Sequence, residues 1–103
     1  MDDKPLRLLG LCLRAGKLVM GERAVGQDCR GRGRIHLIVL ARDAAENTVS
    51  RAEAHAEAAG VPLLKLSGDC KTLGRALGRN TCAVTGVADE GLARKIRGLL
   101  EAT

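Results

Sequence analysis

The chain contains no Phe, Tyr or Trp among its 103 residues, and this absence restricts both its core and its ligands. Hydrophobic residues still make up 46% of the sequence. We therefore expect residues 1–103 to form one domain whose core consists of Leu, Ile, Val and Ala, with help from Cys. RNA-recognition motifs and single-strand grooves stack bases on aromatic rings. A chain without such rings cannot bind nucleic acid in that way.

The sequence has no feature of a membrane or secreted protein. No run approaches the roughly 20 apolar residues of a membrane span. The amino-terminal residues, Met1-Asp2-Asp3-Lys4-Pro5, are charged, unlike a signal peptide. We expect a cytoplasmic protein with no membrane partner.

The cysteines lie too far apart in sequence to form a C-x-x-C pair, so neither a zinc motif nor a thioredoxin-like motif has local support. We predict reduced thiols that pack as small core residues, with no metal and no cofactor. The alternative is a cluster formed in space with His36 or His55. The cysteines are Cys12, Cys29, Cys70 and Cys82.

Helical and strand patterns alternate along the chain, which is typical of an α/β fold. Residues 35–41 are the clearest strand, because a nearly continuous apolar run indicates a strand covered on both faces. The pattern predicts a three-layer α/β/α sandwich with residues 35–41 in the middle of the sheet. Helices are predicted at 5–16, 22–30, 47–60, 73–77 and 89–100, and further strands at 17–20, 61–66 and 81–87.

Short-range patterns predict several local features. Asn47 or Thr48 is the expected cap of the third helix, and Gly26 should weaken the second helix. Residues 30–34, Arg-Gly-Arg-Gly-Arg, are expected to form a flexible basic turn. His36 is placed in the apolar strand, and His55 is expected to face solvent from an alanine-rich helix.

Basic side chains gather in two parts of a chain whose net charge is +5. Both groups lie at turns and helix ends beside glycines, where a phosphate backbone can approach and exposed amides can donate to its oxygens. On one edge of the sandwich they would form a single basic surface, and the alternative is scattered solvated charge. The first group is Arg14, Lys17, Arg23, Arg30, Arg32 and Arg34, and the second is Lys65, Lys71, Arg75 and Arg79.

Catalytic motifs are missing from the sequence. Gly31-Arg32-Gly33 is a lone G-x-G that follows a helix and precedes a strand, the reverse of the order in a dinucleotide-binding fingerprint. There is no G-x-x-x-x-G-K-[ST], and neither Ser50 nor Ser67 lies in G-x-S-x-G. We therefore predict that the protein is not an enzyme.

Five segments together resemble the kink-turn-binding ribosomal protein family of the L7Ae and L30e type, and within it the bacterial YlxQ-like branch. The resemblance covers about residues 6–100. It implies a mixed four-stranded sheet, and RNA binding through the start of the second helix and the loop before the fourth. The segments are Leu8-Leu9-Gly10-Leu11, Ala15-Gly16-Lys17-Leu18-Val19 with Gly21, residues 40–48, Val61-Pro62, and Leu73-Gly74-Arg75-Ala76-Leu77-Gly78.

The family motif G-x-N-E-x-x-K is only partly present at the second helix. Gly21 matches, but Arg23 stands in the place of Asn, Ala24 in that of Glu, and Gln27 in that of Lys. In the family, Asn and Glu read guanines of sheared G·A pairs, and Ala24 cannot accept such a hydrogen bond. The RNA-binding residues that the resemblance and the charges together predict are Lys17, Gly21, Arg23, Gln27, Ser67, Gly68, Lys71 and Arg75.

The leading hypothesis is a monomeric protein that binds folded RNA, ribosomal or otherwise non-coding, through backbone contacts, with ribosome association or kink-turn recognition among its roles. An alternative site for this binding is the basic turn at residues 30–34. The alternative function is a protein–protein interaction module of the same fold that has lost kink-turn recognition.

Overall fold

A computed structural model describes residues 3–102, and within them the chain forms five helices and four strands. The predicted order of elements is confirmed, with β2 shorter than the apolar run around it. The helices are α1 (Lys4–Arg14), α2 (Glu22–Arg30), α3 (Glu46–Ala59), α4 (Cys70–Ala76) and α5 (Glu90–Glu101). The strands are β1 (Leu18–Met20), β2 (Leu37–Leu40), β3 (Leu63–Lys65) and β4 (Val84–Val87).

The four strands form one mixed sheet in the order β1-β4-β2-β3. Strand β4 pairs antiparallel with both β1 and β2, whereas β2 pairs parallel with β3. The mixed four-stranded sheet implied by the family resemblance is thus confirmed. Strand β2 lies inside the sheet and all four of its residues are buried, as its continuous apolar pattern predicts.

Two hydrophobic cores lie on opposite faces of the sheet, which confirms the three-layer sandwich. Leu37 and Val39 of β2 pack with α1, α4 and α5 on one face. Ile38 and Leu40 pack with α2 and α3 on the other face. Successive side chains of a strand alternate between faces, so one short strand supplies both cores. Each fully buried Leu, Ile or Val contributes roughly 1.5–3 kcal/mol to folding.

Helices α4 and α5 are each preceded by an aspartate whose side chain caps the first turn. The side chains of Asp69 and Asp89 accept hydrogen bonds from the amides of Thr72 and Leu92, both at 2.8 Å. The predicted Asn47 or Thr48 cap is wrong, because α3 begins at Glu46 and its cap residue, Ala45, makes no side-chain hydrogen bond.

The turn at residues 30–34, which its glycines and arginines predict to be flexible, is bonded to Asp28 at its carboxyl end. The buried carboxylate of Asp28 accepts hydrogen bonds from the amides of Arg34 at 3.0 Å and Ile35 at 3.3 Å, and from Arg34 Nε at 3.3 Å. The Asp28 carbonyl also accepts from the Gly33 amide at 2.7 Å. One aspartate therefore fixes the path from α2 into β2.

Candidate nucleic-acid interface

One end of the sheet collects the loops that carry most of the predicted RNA-binding residues. Because β1, β2 and β3 all run in the same direction, their carboxyl ends lie together beside the start of β4. The Gly21 amide donates to the Val84 carbonyl at 2.9 Å, and the Ala41 amide donates to the Ala83 carbonyl at 2.9 Å. These bonds join the start of α2 to the segment that precedes β4.

The amino terminus of α2 is open to an anion. Its cap residue is Gly21, at φ +97°, and no side chain caps the helix. The first amides of a helix lack intrahelical acceptors and carry roughly half a positive charge. Arg23 and Gln27 are exposed and one turn apart on this helix, with the exposed Arg30 continuing the same face.

Glu22, the first residue of α2, does not cap the helix. Its carboxylate bonds to side chains of α3 instead. Its Oε2 lies 2.8 Å from His55 Nε2, and its Oε1 lies 3.5 Å from the guanidinium of Arg51. The hydrogen bond to His55, followed by the charges of His55 and Arg51, lowers the pKa of Glu22. The carboxylate is therefore ionised and is held against α3.

His55 is wrongly predicted to face solvent, since its side chain is only 15% exposed. The imidazole lies directly over Gly26, where an added Cβ would be 2.6 Å from His55 Nε2. Gly26 thus permits the close packing of α2 on α3, in addition to lowering helix propensity. His36, predicted within the strand, is exposed and precedes β2.

The start of α4 differs from that of α2 because two carboxylates already occupy it. Asp43 accepts a hydrogen bond from the Cys70 amide at 2.8 Å, and Asp69 accepts one from the Thr72 amide. The pKa of Asp43 is lowered first by a hydrogen bond with the Cys70 thiol and then by the one from the Cys70 amide, whereas the hydrogen bond from the Thr72 amide is the main cause of the lowered pKa of Asp69. The Cys70 and Thr72 amides are therefore already paired with carboxylates, while Lys71 is exposed beside them. RNA binding by this loop stays a prediction.

The loop that carries Ser67 and Gly68 is held by a residue that sequence reasoning left out of the site. Arg42 Nε donates to the Ser67 carbonyl at 2.9 Å, and the Arg42 amide donates to the Gly68 carbonyl at 2.8 Å. Arg42 lies two residues after the end of the buried strand β2. Its place just beyond the carboxyl end of an interior strand is the sequence signal that could have found it.

The two predicted parts of the site share an edge but do not adjoin. Strands β1 and β3 are the outer strands of the sheet, and three strand spacings separate them by about 14 Å. The segment before β4 lies between them, and the Cys82 amide donates to the Cys70 carbonyl at 3.0 Å. A cavity of about 210 Å³ beside Gly21 is also lined by Arg79 and Thr81. Arg79 belongs to the second basic group but was not among the predicted site residues.

Lys17 and Arg75 lie apart from the α2 terminus. Lys17 precedes β1, so the whole strand separates it from Gly21, and its carbonyl accepts a hydrogen bond from the Ala88 amide at the other end of the sheet. Arg75 is exposed on α4, in the layer on the opposite side of the sheet from α2.

The alternative site at residues 30–34 is continuous with the α2 face. Arg32 and Arg34 line a shallow cavity of about 260 Å³ together with Gln27 and Ala24. Seven residues of helix separate Arg23 from Arg30, a distance of about 10 Å along the axis. The two locations that the sequence left open are therefore the two ends of one basic surface, here called the α2 surface: Arg23, Gln27, Arg30, Arg32 and Arg34.

Two cysteine thiols in the described part of the chain have raised pKa values, the opposite of an activated nucleophile. Burial raises the pKa of the Cys12 thiol to about 11, and burial together with Asp43 raises the pKa of Cys70 to about 11. Within residues 3–102, no group of three or more His, Cys, Asp or Glu side chains is placed to hold a metal ion. No helix in the same range is long and apolar enough to cross a bilayer.

The α/β/α sandwich with a mixed four-stranded sheet is the fold that the resemblance to L7Ae- and L30e-type ribosomal proteins implies. The chain belongs to the ribosomal protein L7Ae/L30e/S12e/Gadd45 family, whose model matches residues 3–96. It is 36% identical over 94 residues to the RNA-binding protein YlxQ of Bacillus subtilis (strain 168), covering 91% of this chain and 92% of that protein. The YlxQ of Enterococcus faecium is 32% identical over 99 residues, covering 96% and 93%. The predicted family and its bacterial branch are confirmed.

Solved structures agree with this fold. A Bacillus halodurans protein of unknown function superimposes with a TM-score of 0.88 at 33% identity, covering 97% of this chain and 99% of that one. The Giardia lamblia 15.5kD RNA binding protein superimposes with a TM-score of 0.78 at 23% identity, covering 94% and 84%. The second likeness supports the fold alone.

Proposed function

We propose that the chain is a non-catalytic RNA-binding protein of the cytoplasm that holds folded RNA against the α2 surface. The observation that carries the proposal is the uncapped start of α2, followed along one exposed face by four arginines. Relatives named RNA-binding proteins share over 90% of their length with this chain, which supports RNA as the polyanion.

Binding on this surface is directed at the RNA backbone. Arginine forks and helix amides recognise phosphate oxygens without reading sequence. Ala24 has no group that can accept a hydrogen bond from guanine, and the chain has no aromatic ring for stacking. A folded RNA, ribosomal or otherwise non-coding, presents phosphates in a fixed arrangement that a rigid surface can match. We infer shape-based recognition by a monomer, with weak dependence on the sheared G·A pairs of a kink-turn.

A salt titration tests the proposal. With about 4–6 phosphates contacted, log K should fall against log salt with a slope of about −3 to −5. Three RNAs of equal length are compared: a kink-turn, the same RNA with its G·A pairs replaced by Watson–Crick pairs, and an unstructured strand. We expect both folded RNAs to bind at least as tightly as the strand. No affinity at low salt, or an affinity independent of salt, contradicts RNA binding, whereas a large preference for the intact kink-turn contradicts recognition by shape alone.

A further inference from the structure

An apolar groove lies between α1 and α4, on the opposite side of the sheet from the α2 surface. It is open to solvent and has a volume of about 590 Å³. Its apolar walls are formed by Leu6, Gly10, Leu11, Leu13 and Ala76. Neither the RNA surface nor the folding of the domain accounts for an open groove at this place.

Two residues of α1 leave this groove accessible. Gly10 has no side chain, and a Cβ built there would be 3.9 Å from the Ala76 carbonyl oxygen, which is ordinary contact. The space above Gly10 is therefore free to receive a larger group. Leu11 is 46% exposed and is the large hydrophobic residue left exposed among residues 3–102. Leu11 is therefore an apolar side chain at the groove that a partner could cover.

Two arginines and one acidic residue, Asp3, border the groove. Arg7 and Arg14 both line it and lie seven residues apart on one face of α1, about 10 Å along the helix. Arg14 forms no ion pair with any described residue. Arg7 pairs with Asp3 at 3.5 Å, but both side chains are about two-thirds exposed, so the pair is weak and exchangeable. The exposed Arg75 precedes the groove-lining Ala76.

We propose that this groove is a docking site for an acidic amphipathic helix of a partner protein. Two apolar side chains of such a helix, spaced by three or four residues, would enter the groove beside Leu11 and above Gly10. Its carboxylates would meet Arg7 and Arg14 at the two ends. This arrangement is the helix-in-groove mode of peptide recognition, and the charges would select acidic partners and exclude basic ones.

The groove favours protein over RNA for two reasons. Aliphatic walls contribute to binding only when they are covered by apolar groups, which a phosphate backbone does not supply. The groove also faces away from α2, since α1 and α4 pack in one layer and α2 in the other. A peptide in the groove and an RNA on the α2 surface can therefore bind at the same time.

Binding of a synthetic peptide to the full chain tests the proposal. The probe is a fluorescein-labelled 14-residue helix with leucines on one face and glutamates flanking them, and its control is a scramble of the same composition. Gly10→Leu should fill the groove and weaken binding at least about tenfold, while Arg14→Glu should weaken it about 3- to 10-fold. Leu11→Ser serves if Gly10→Leu fails to fold. The control is Lys95→Glu on α5, where Lys95 is exposed and forms no ion pair within residues 3–102; it should leave peptide affinity unchanged.

Each outcome decides the proposal. Salt-dependent binding of the amphipathic peptide, lost in Gly10→Leu and absent for the scramble, supports it, as does unchanged RNA affinity in both groove variants. No peptide binding at millimolar concentration overturns it. Equal peptide affinity in wild type and Gly10→Leu also overturns it, because the peptide then binds elsewhere. Loss of RNA affinity in Arg14→Glu, or a dimer in sedimentation that Gly10→Leu dissociates, assigns the groove to RNA or to a second copy and overturns it.

Discussion

Replacing Arg23 with Glu is the most direct perturbation of the α2 surface. Arg23 is exposed, lies in the first turn of α2 and pairs with no carboxylate among the described residues. Losing one charge-assisted contact to phosphate costs about 1–3 kcal/mol. A carboxylate about 5 Å from the same phosphate adds roughly 1 kcal/mol of repulsion at the dielectric constant of water. Together these costs are about 2–4 kcal/mol, so we expect RNA affinity to fall about 30- to 900-fold at 25 °C.

Folding stability separates this loss of contact from damage to the protein. An acidic residue in the first turn of a helix favours the helix dipole, whereas Arg23 opposes it. The free energy of unfolding of Arg23→Glu in urea should therefore be equal to or above that of wild type. The neutral variant Arg23→Gln should lower the slope of log K against log salt by about one, since one phosphate contact is removed.

Fluorescence anisotropy with one folded RNA at one salt concentration measures the effect. The matched control is Arg97→Glu on α5, where Arg97 Nε lies 3.1 Å from Glu101 and is half exposed; its RNA affinity should change far less. Wild-type affinity in Arg23→Glu would refute the argument for the α2 terminus. If Arg32→Glu then abolished binding, the site would lie at the other end of the α2 surface.

Three further predictions concern the contacts that hold α2, the turn after it and the start of α4. Gly26→Ala should destabilise the fold by about 1 kcal/mol in urea despite better helix propensity, because its Cβ would lie 2.6 Å from His55 Nε2. In a His55→Ala background the same substitution should stabilise the fold. Destabilisation in that background would contradict the steric cause. Asp28→Ala should cost about 2–3 kcal/mol in urea and speed amide exchange at residues 33–35, because three donors lose their acceptor; slow exchange would show that the turn is ordered without the carboxylate. The lowered pKa values of Asp43 and Asp69 mean that their stabilisation is complete above the unfolded pKa, near 4, and is lost as the pH falls below it; acid unfolding that is unchanged in Asp43→Asn would refute this role.

Elements whose signal is local were predictable from the sequence. The buried strand β2 and the Asp69 and Asp89 caps depend on residues that are adjacent or three apart, so the pattern contains their cause. The hydrogen bonds between Asp28 and the turn at residues 30–34 were not predicted, although Asp28 is only six residues from Arg34. Glycine and arginine spacing indicates freedom, and nothing in the spacing shows which acceptor removes it.

Contacts between distant elements were not predictable. The hydrogen bond between Glu22 and His55 joins residues 33 apart, and the close approach at Gly26 exists only because α2 and α3 pack on the same face of the sheet. The order and direction of the strands decide which basic residues lie near the start of α2. Lys17 precedes α2 by few residues in sequence, yet β1 carries it to the other end of the sheet, whereas Arg79 comes beside Gly21 across β4.

The start of α2 matches the family at the residue that positions the helix, but differs from it at the residues that would read bases. Gly21 keeps its positive φ, and the bond between Glu22 and His55 anchors the first turn on α3. At the positions of the family's Asn and Glu, however, stand Arg23 and Ala24. Without an Asn and a Glu at these positions, the surface lacks the family's two guanine-reading groups but has donors for phosphate oxygens. This combination is the reason for proposing backbone-directed, salt-dependent binding, which the charge reversal at Arg23 tests.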